Sequence, residues 1–260
     1  MMRLDRFLCG QTVLSRKEAD AAVRKGRVTV GGVTVRKPDM QISPETDAVT
    51  LDGSAVEYQQ FRYIMLHKPA GVLTAARDKS QKTVLDLLPP DDRRKGIAPC
   101  GRLDKDTSGL LLLTDDGQLS HRLISPRHHA AKYYLARLAE PFDSAYIPLF
   151  RAGIRLRDGD SEEQCLPAEC EQIDSHTAVL ELFEGKYHQV RRMFAAAGNH
   201  VENLLRVQVG SLKLPPELPA GGSLHIFNKE IELMLNNSSV SEAAEFCRQN
   251  YSSYWIKETT

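Results

Sequence analysis

The sequence predicts an α+β protein in two parts, a small basic module at the N-terminus and a larger layered sheet behind it. Three observations carry that prediction. The chain has 260 residues, 42% of them hydrophobic and 26% charged, an ordinary globular composition long enough for two domains. Strand-like segments recur at 62–66, 109–113, 132–138 and 177–183, with breakers between them. Helical periodicity is confined to a few segments that do not alternate regularly with those strands, which argues against a parallel βαβ wind.

Ser15 stands as an N-cap with Glu18 as its capping-box partner; Ala19, Ala22 and Val23 form one apolar stripe, and Gly26 ends the helix. The other face is basic, with Arg16, Lys17, Arg24 and Lys25, and Arg27 follows the stop. Val28-Thr29-Val30 and Val33-Thr34-Val35 alternate around Gly31-Gly32, the pair that a tight primed hairpin turn requires. An acidic stretch through Glu45, Asp47 and Asp52 closes this unit, and a boundary near Tyr58 makes it an N-terminal domain over 1–58. Its core is thin, so it is expected to move relative to the rest. A second domain is expected over 59–235. Its clearest helix spans 187–197, where Val190, Met193, Phe194 and Ala197 share one face and Gly198-Asn199 stops the turn. Residues 236–260 are polar and uneven, and read as an extension that is either a loose helix or frayed.

Thirty-four basic residues balance 34 acidic ones, so net charge alone points to no anionic partner. The balance hides a segregation: 1–37 hold nine Lys/Arg against three acids, and 38–58 hold five acids and no base. Such blocks suggest local anion-binding faces on a neutral particle. No apolar run approaches the ~20 residues of a membrane span, and the charged start Met1-Met2-Arg3-Leu4-Asp5-Arg6 is no secretory signal. A cytoplasmic protein is expected. Five scattered cysteines without a C-x-x-C pair argue against a disulfide framework and a zinc site.

The densest chemical segment is Gly101-Arg102-Leu103-Asp104-Lys105-Asp106-Thr107-Ser108-Gly109. Asp104, Asp106, Ser108, Gly109 and Asp115 fit five positions of a calcium loop, but Pro99 upstream and the leucine run downstream deny it flanking helices. A structural turn with aspartates capping amides is the plain alternative. The third reading is a reactive carboxylate at Asp104, held rigidly at the edge of a sheet.

That segment, continued by Leu110-Leu111-Leu112-Leu113-Thr114-Asp115-Asp116-Gly117, resembles the signature loop of the RNA pseudouridine synthases. Lys68-Pro69-Ala70-Gly71 resembles the family's first motif, Lys132-Tyr133-Tyr134 its tyrosine motif and 184–193 its arginine motif; Leu205-Arg206 with Gly210 resembles the last. The N-terminal unit, headed by Arg3-Leu4-Asp5, is similar to an S4-type RNA-binding module. Ser125-Pro126-Arg127-His128-His129 and 194–200 look closest to the branch that modifies small-subunit (16S) ribosomal RNA.

The resemblance implies a pseudouridine synthase domain on a mixed, largely antiparallel sheet with flanking helices. It implies conversion of one uridine, of the uridine 516 type, in 16S RNA or an assembling small subunit, by a monomer without cofactor or metal. Asp104 takes the place of the catalytic aspartate, to act as nucleophile or base. Arg191 is the matching arginine, expected to pair with that carboxylate and aim it. Tyr134 matches the active-site tyrosine on which a flipped uracil stacks, while Tyr133 points to the other face of the strand. Arg16, Lys25 and Arg27 in the module, and Arg102, Arg127, His128, Arg192 and Arg206 beyond it, are the expected RNA contacts; a solvated helix face is the plain alternative for the first three. The rival function is a non-catalytic RNA-binding or ribosome-assembly protein using the same basic faces.

Overall fold

The computed structural model describes residues 1–12, 14–93, 96–125, 130–158, 161–251 and 254–257. The chain divides into two compact units, Met1–Phe61 and Arg62–Thr260.

The first unit opens with β1 (Met2–Arg3), α1 (Leu4–Gln11) and α2 (Arg16–Arg24). Both halves of the capping box at Ser15 and Glu18 are formed, with Glu18 N donating to Ser15 Oγ and Ser15 N to Glu18 Oε2. Then come β2 (Val28–Val30), β3 (Val33–Val35), β4 (Gln41–Ile42), β5 (Val49–Leu51) and β6 (Ser54–Ala55). Gly31 and Gly32, at φ 57° and 81°, both occupy the left-handed region that the β2–β3 turn needs. Ala19, Ala22 and Val23 of α2 pack on Leu4, Phe7, Leu8, Val28, Ile42 and Val49. Asp5 is buried and held by the Arg3 guanidinium at 2.7 Å and by the amide of Arg6, so the Arg3-Leu4-Asp5 head acts as a staple within the module.

The second unit is built on a nine-stranded sheet. Its first strands are β7 (Tyr63–Lys68), β8 (Ala98–Cys100) and β9 (Thr107–Thr114), followed by α3 (Gly117–Ile124) and β10 (Lys132–Leu138). Next are α4 (Tyr146–Arg151), the hairpin β11 (Arg155–Asp158) and β12 (Ser161–Gln164), then β13 (Glu169–Asp174) and β14 (Thr177–Leu182). The unit ends with α5 (Gln189–Ala196), β15 (Val201–Val209), β16 (Leu212–Lys213), β17 (Ser223–His225), α6 (Asn228–Leu235), α7 (Val240–Asn250) and α8 (Tyr254–Lys257). Strand order is β13-β14-β10-β15-β9-β7-β17, with β16 and β8 on the flanks of β15 and β9. The β15–β9 pair is parallel and the other pairs are antiparallel, so the sheet is mixed and largely antiparallel.

Two apolar clusters fill the unit. One joins α4 and α5 to β10, β14 and β15, and the other lies under β7 and β9; Tyr134 packs against both. α7 lies on β13 and β14. The segment after Leu235 is ordered by specific bonds: Asn237 Oδ1 accepts from Ala131 N, Ser238 Oγ accepts from Gln208, and Tyr251 donates its hydroxyl hydrogen to Leu214 O.

Candidate active site

Asp104 lies in the turn between β8 and β9, and the backbone of that turn is held at every carbonyl from 103 to 107. Thr74 Oγ1 donates to Leu103 O at 2.7 Å and accepts from Leu103 N. The ammonium of Lys68 reaches Asp104 O, Lys105 O and Thr107 O at 3.0, 3.0 and 2.8 Å. Gly71 N also donates to Lys105 O, and Arg191 Nη2 donates to Asp106 O at 3.2 Å. Leu103, 5% exposed, plugs the apolar cluster and anchors the turn from below. Burial pulls the Lys68 pKa down to about 8 against the attraction of Asp104 and Asp106, which leaves it protonated at neutral pH.

The result is a carboxylate on a rigid support. The Asp104 side chain is 34% exposed and accepts no hydrogen bond from a described residue; His188 Nε2 stands 3.7 Å from Oδ1, beyond hydrogen-bond length. His188 holds a left-handed backbone at φ 48° and stacks on Tyr187 with ring centroids 4.0 Å apart. A non-glycine residue there marks a backbone fixed by its surroundings.

The expected Asp104–Arg191 ion pair is not formed. The two Arg191 terminal nitrogens are taken by backbone carbonyls, Val201 O at 2.6 Å and Asp106 O, so the guanidinium clamps the loop two residues past the carboxylate. Tyr134 is where strand alternation puts it: Tyr133 is fully buried with its hydroxyl against Glu181 and Ser238 O, and Tyr134 faces the other way with a hydroxyl that bonds no described residue.

The expected RNA contacts sort unevenly. Arg16 and Lys25 are exposed and make no ion pair with a described residue. Arg27 is exposed but bound through two bonds to Asp52, as Arg24 is to Asp20. Arg102 is exposed at the head of the Asp104 turn. Arg192 donates to Tyr187 O and Arg157 O, and lines a cleft of about 430 Å³ with Arg155 and Arg157. Arg206 is buried in the sheet, 5% exposed, its Nε donating to Leu110 O. Arg127 and His128 lie outside the described residues. No cluster of metal-ligating side chains occurs among the described residues, and no described helix is long and apolar enough to cross a membrane.

Comparison with known proteins bears on the same residues. The family model for RNA pseudouridylate synthase matches 62–196, which covers the turn, β10 and α5, and the model for the S4 domain matches 2–47. The chain belongs to the RNA pseudouridine synthases. It is an isomerase by family, with an N-terminal S4 domain. An RNA pseudouridine synthase of Bacillus subtilis, YtzG, is 40% identical over 235 residues, 90% of this chain and 98% of the relative. Ribosomal small subunit pseudouridine synthase A of Escherichia coli is 41% identical over 231 residues, 88% of this chain and 98% of the relative. A solved pseudouridylate synthase structure superposes with a TM-score of 0.63 at 36% identity, covering 90% of this chain and all of the other.

Sequence reasoning assigned no role to three residues around the Asp104 turn. Lys68 was read only as part of a motif and Thr74 not at all; both act on a turn some thirty residues away through backbone oxygens, a role that leaves no local signature. His188 sat inside the arginine motif without a role, and its left-handed backbone is invisible in composition.

Proposed function

We propose that this synthase isomerises one uridine, uridine 516, of small-subunit (16S) ribosomal RNA in the cytoplasm, with Asp104 as the reacting carboxylate. The relatives named for the small ribosomal subunit match over nearly their whole length, and this supports the substrate. The observation that carries the residue assignment is the Asp104 side chain itself, solvent-facing and without a hydrogen-bond donor, on a turn whose carbonyls are all satisfied.

The target base is stacked in RNA, so it is extruded, at a cost of a few kcal/mol. Tyr134 offers an aromatic face between two apolar clusters, which suits one unstacked pyrimidine. The N1–C1′ bond breaks, the uracil turns while held on Tyr134, C5 bonds to C1′, the C5 hydrogen leaves as a proton, and N1 takes up one proton in its place. Asp104 supplies the nucleophile or base, and Arg191 keeps its turn in place. Atoms and electrons balance within the substrate, so the reaction asks for no redox group or donor. Exposed Arg16, Lys25 and Arg102 contact phosphates and set register.

The test is release of tritium from 16S RNA labelled at uracil C5. Wild type should release it, and Asp104→Asn should release none while binding RNA with unchanged affinity. Label retained by both proteins would leave only the non-catalytic RNA-binding reading, and a modification map of RNA from cells lacking the protein checks the position.

A further inference from the structure

Two cations stand together on the Tyr134 face of the sheet with no acidic group among the described residues paired to them. Arg206 lies directly across from Tyr134 in the β10–β15 ladder and beside Gly109 of β9. The ladder shifts register here, with Val207 as the extra residue of β15, a bulge that re-aims the side chain next to it. Arg206 spends Nε on Leu110 O at 2.8 Å, and its two terminal nitrogens bond no described residue. Lys132 is two residues before Tyr134 on a strand that pairs regularly with β14, so it shares the Tyr134 face. Its ammonium makes no hydrogen bond and no ion pair with a described residue. Neither charged end is among the partnerless side-chain atoms sealed from solvent, so both open outward.

Such an arrangement is unfavourable as it stands, because a partly desolvated charge wants a counter-ion and a like charge beside it makes matters worse. Burial, and then Arg206, pull Lys132 down to about 8; it is still a cation at neutral pH. The groups that face it are Arg206 of β15 and Cys100 of β8, and burial pushes the Cys100 thiol up, so it supplies no negative charge. Asp116, beyond Cys100, is occupied by Gln118 N, Leu119 N and the Tyr63 hydroxyl.

We propose that Lys132 and Arg206 form an inner phosphate site, which takes one RNA phosphodiester next to the uridine extruded onto Tyr134. The inference rests on the RNA-modifying reading above and adds a contact that the exposed basic residues do not make. The guanidinium fork meets two phosphate oxygens and the lysine adds a point charge. The phosphate group thereby replaces the missing counter-ion only when a nucleotide has left the stack, which ties backbone neutralisation to base extrusion.

The experiment compares wild type, Lys132→Met and Lys132→Arg for binding to unmodified 16S RNA between about 50 and 200 mM salt. Lys132→Met should bind about tenfold more weakly and lower the slope of log K against log salt by just under one ion, while Lys132→Arg restores both. The melting temperature of Lys132→Met should equal or exceed that of wild type, because a repelling charge is gone. From pH 7 to 9 wild-type affinity should fall as Lys132 loses its proton, and Lys132→Arg should stay flat. An unchanged salt slope in Lys132→Met, with or without a lower melting temperature, overturns the proposal and makes the lysine a packing residue. Tritium release by wild type runs alongside as a separate readout. Label released with an unchanged slope sinks the phosphate site alone, and a lowered slope without release sinks the synthase assignment alone.

Discussion

Lys68 ties the Asp104 turn to β7 through its buried ammonium. Its side chain is fully buried and its ammonium meets four carbonyl oxygens, those of Pro69, Asp104, Lys105 and Thr107. Lys68→Met keeps the volume but takes a charged donor from four carbonyls, of which Lys105 O keeps Gly71 N and Asp104 O keeps Thr107 N, a loss on the order of 2–4 kcal/mol. The expected outcome is a lower melting temperature and a turnover reduced at least tenfold, with RNA affinity nearly unchanged because the exposed basic residues remain. Equal loss of affinity and turnover would mean that the lysine holds more than the turn. Asp104 was singled out in the sequence by its polar, glycine-bounded loop and by likeness to a family motif, and Tyr134 by such likeness, strand alternation adding only that Tyr133 faces the other side. The acceptors of Arg191 were not legible, because the choice between a carboxylate and a carbonyl depends on where β15 begins. Val201, the first residue of β15, offers an oxygen 2.6 Å from Arg191.

At the scale of elements, local signals were read well wherever the structure is locally determined. The capping box of α2 and the Gly31-Gly32 turn each lie within a few residues of chain, and both are formed as the residues suggest. Gly109 shows the opposite case. The sequence marks it as the end of a loop, yet its requirement comes from β15: a Cβ built on it would stand 2.3 Å from Arg206 O and 2.5 Å from Arg206 N. This is the parallel contact of the sheet, made by residues almost a hundred positions apart. Gly109 also sits at φ 115°, where a side chain is strained in any case. Gly109→Ala must therefore push β9 and β15 apart, and a destabilisation of about 3 kcal/mol or more is expected from overpacking and backbone strain together. Thermal unfolding followed by circular dichroism checks it, and a melting temperature within a degree or two of wild type would show that the two strands separate easily.

For the whole molecule, the residues after Leu235 matter most, since their polar, uneven pattern gave no firm structure from sequence. The apolar face of α7 is narrow, just Ala243, Ala244 and Cys247 among its buried residues, and its docking depends on partners in distant strands. Tyr133 is the central one, with both the Glu181 carboxyl and Ser238 O against its hydroxyl. The hydroxyl donates to Glu181 Oε1 at 2.8 Å, with Ser238 O on its other side. Burial raises the Glu181 pKa above its ordinary 4.5. A raised folded-state value means that this contribution is fully present below the ordinary carboxylate range and is lost as pH rises through the folded pKa. A chain ending at Leu235 would expose Tyr133, remove the Ser238 partner of Gln208 and the Asn237 partner of Ala131 N, and bring Glu181 into water. It should be less stable than the full chain by on the order of 3 kcal/mol, from lost burial and orphaned donors. The sign of the linkage makes the test sharper: the gap in stability between full and shortened chains should be widest below the ordinary carboxylate range and narrow as pH rises toward neutral. Urea unfolding of both proteins across that range measures it. A gap that stays constant with pH would detach Glu181 from the docking of the extension, and a gap near zero throughout would mean that the sheet stands without it.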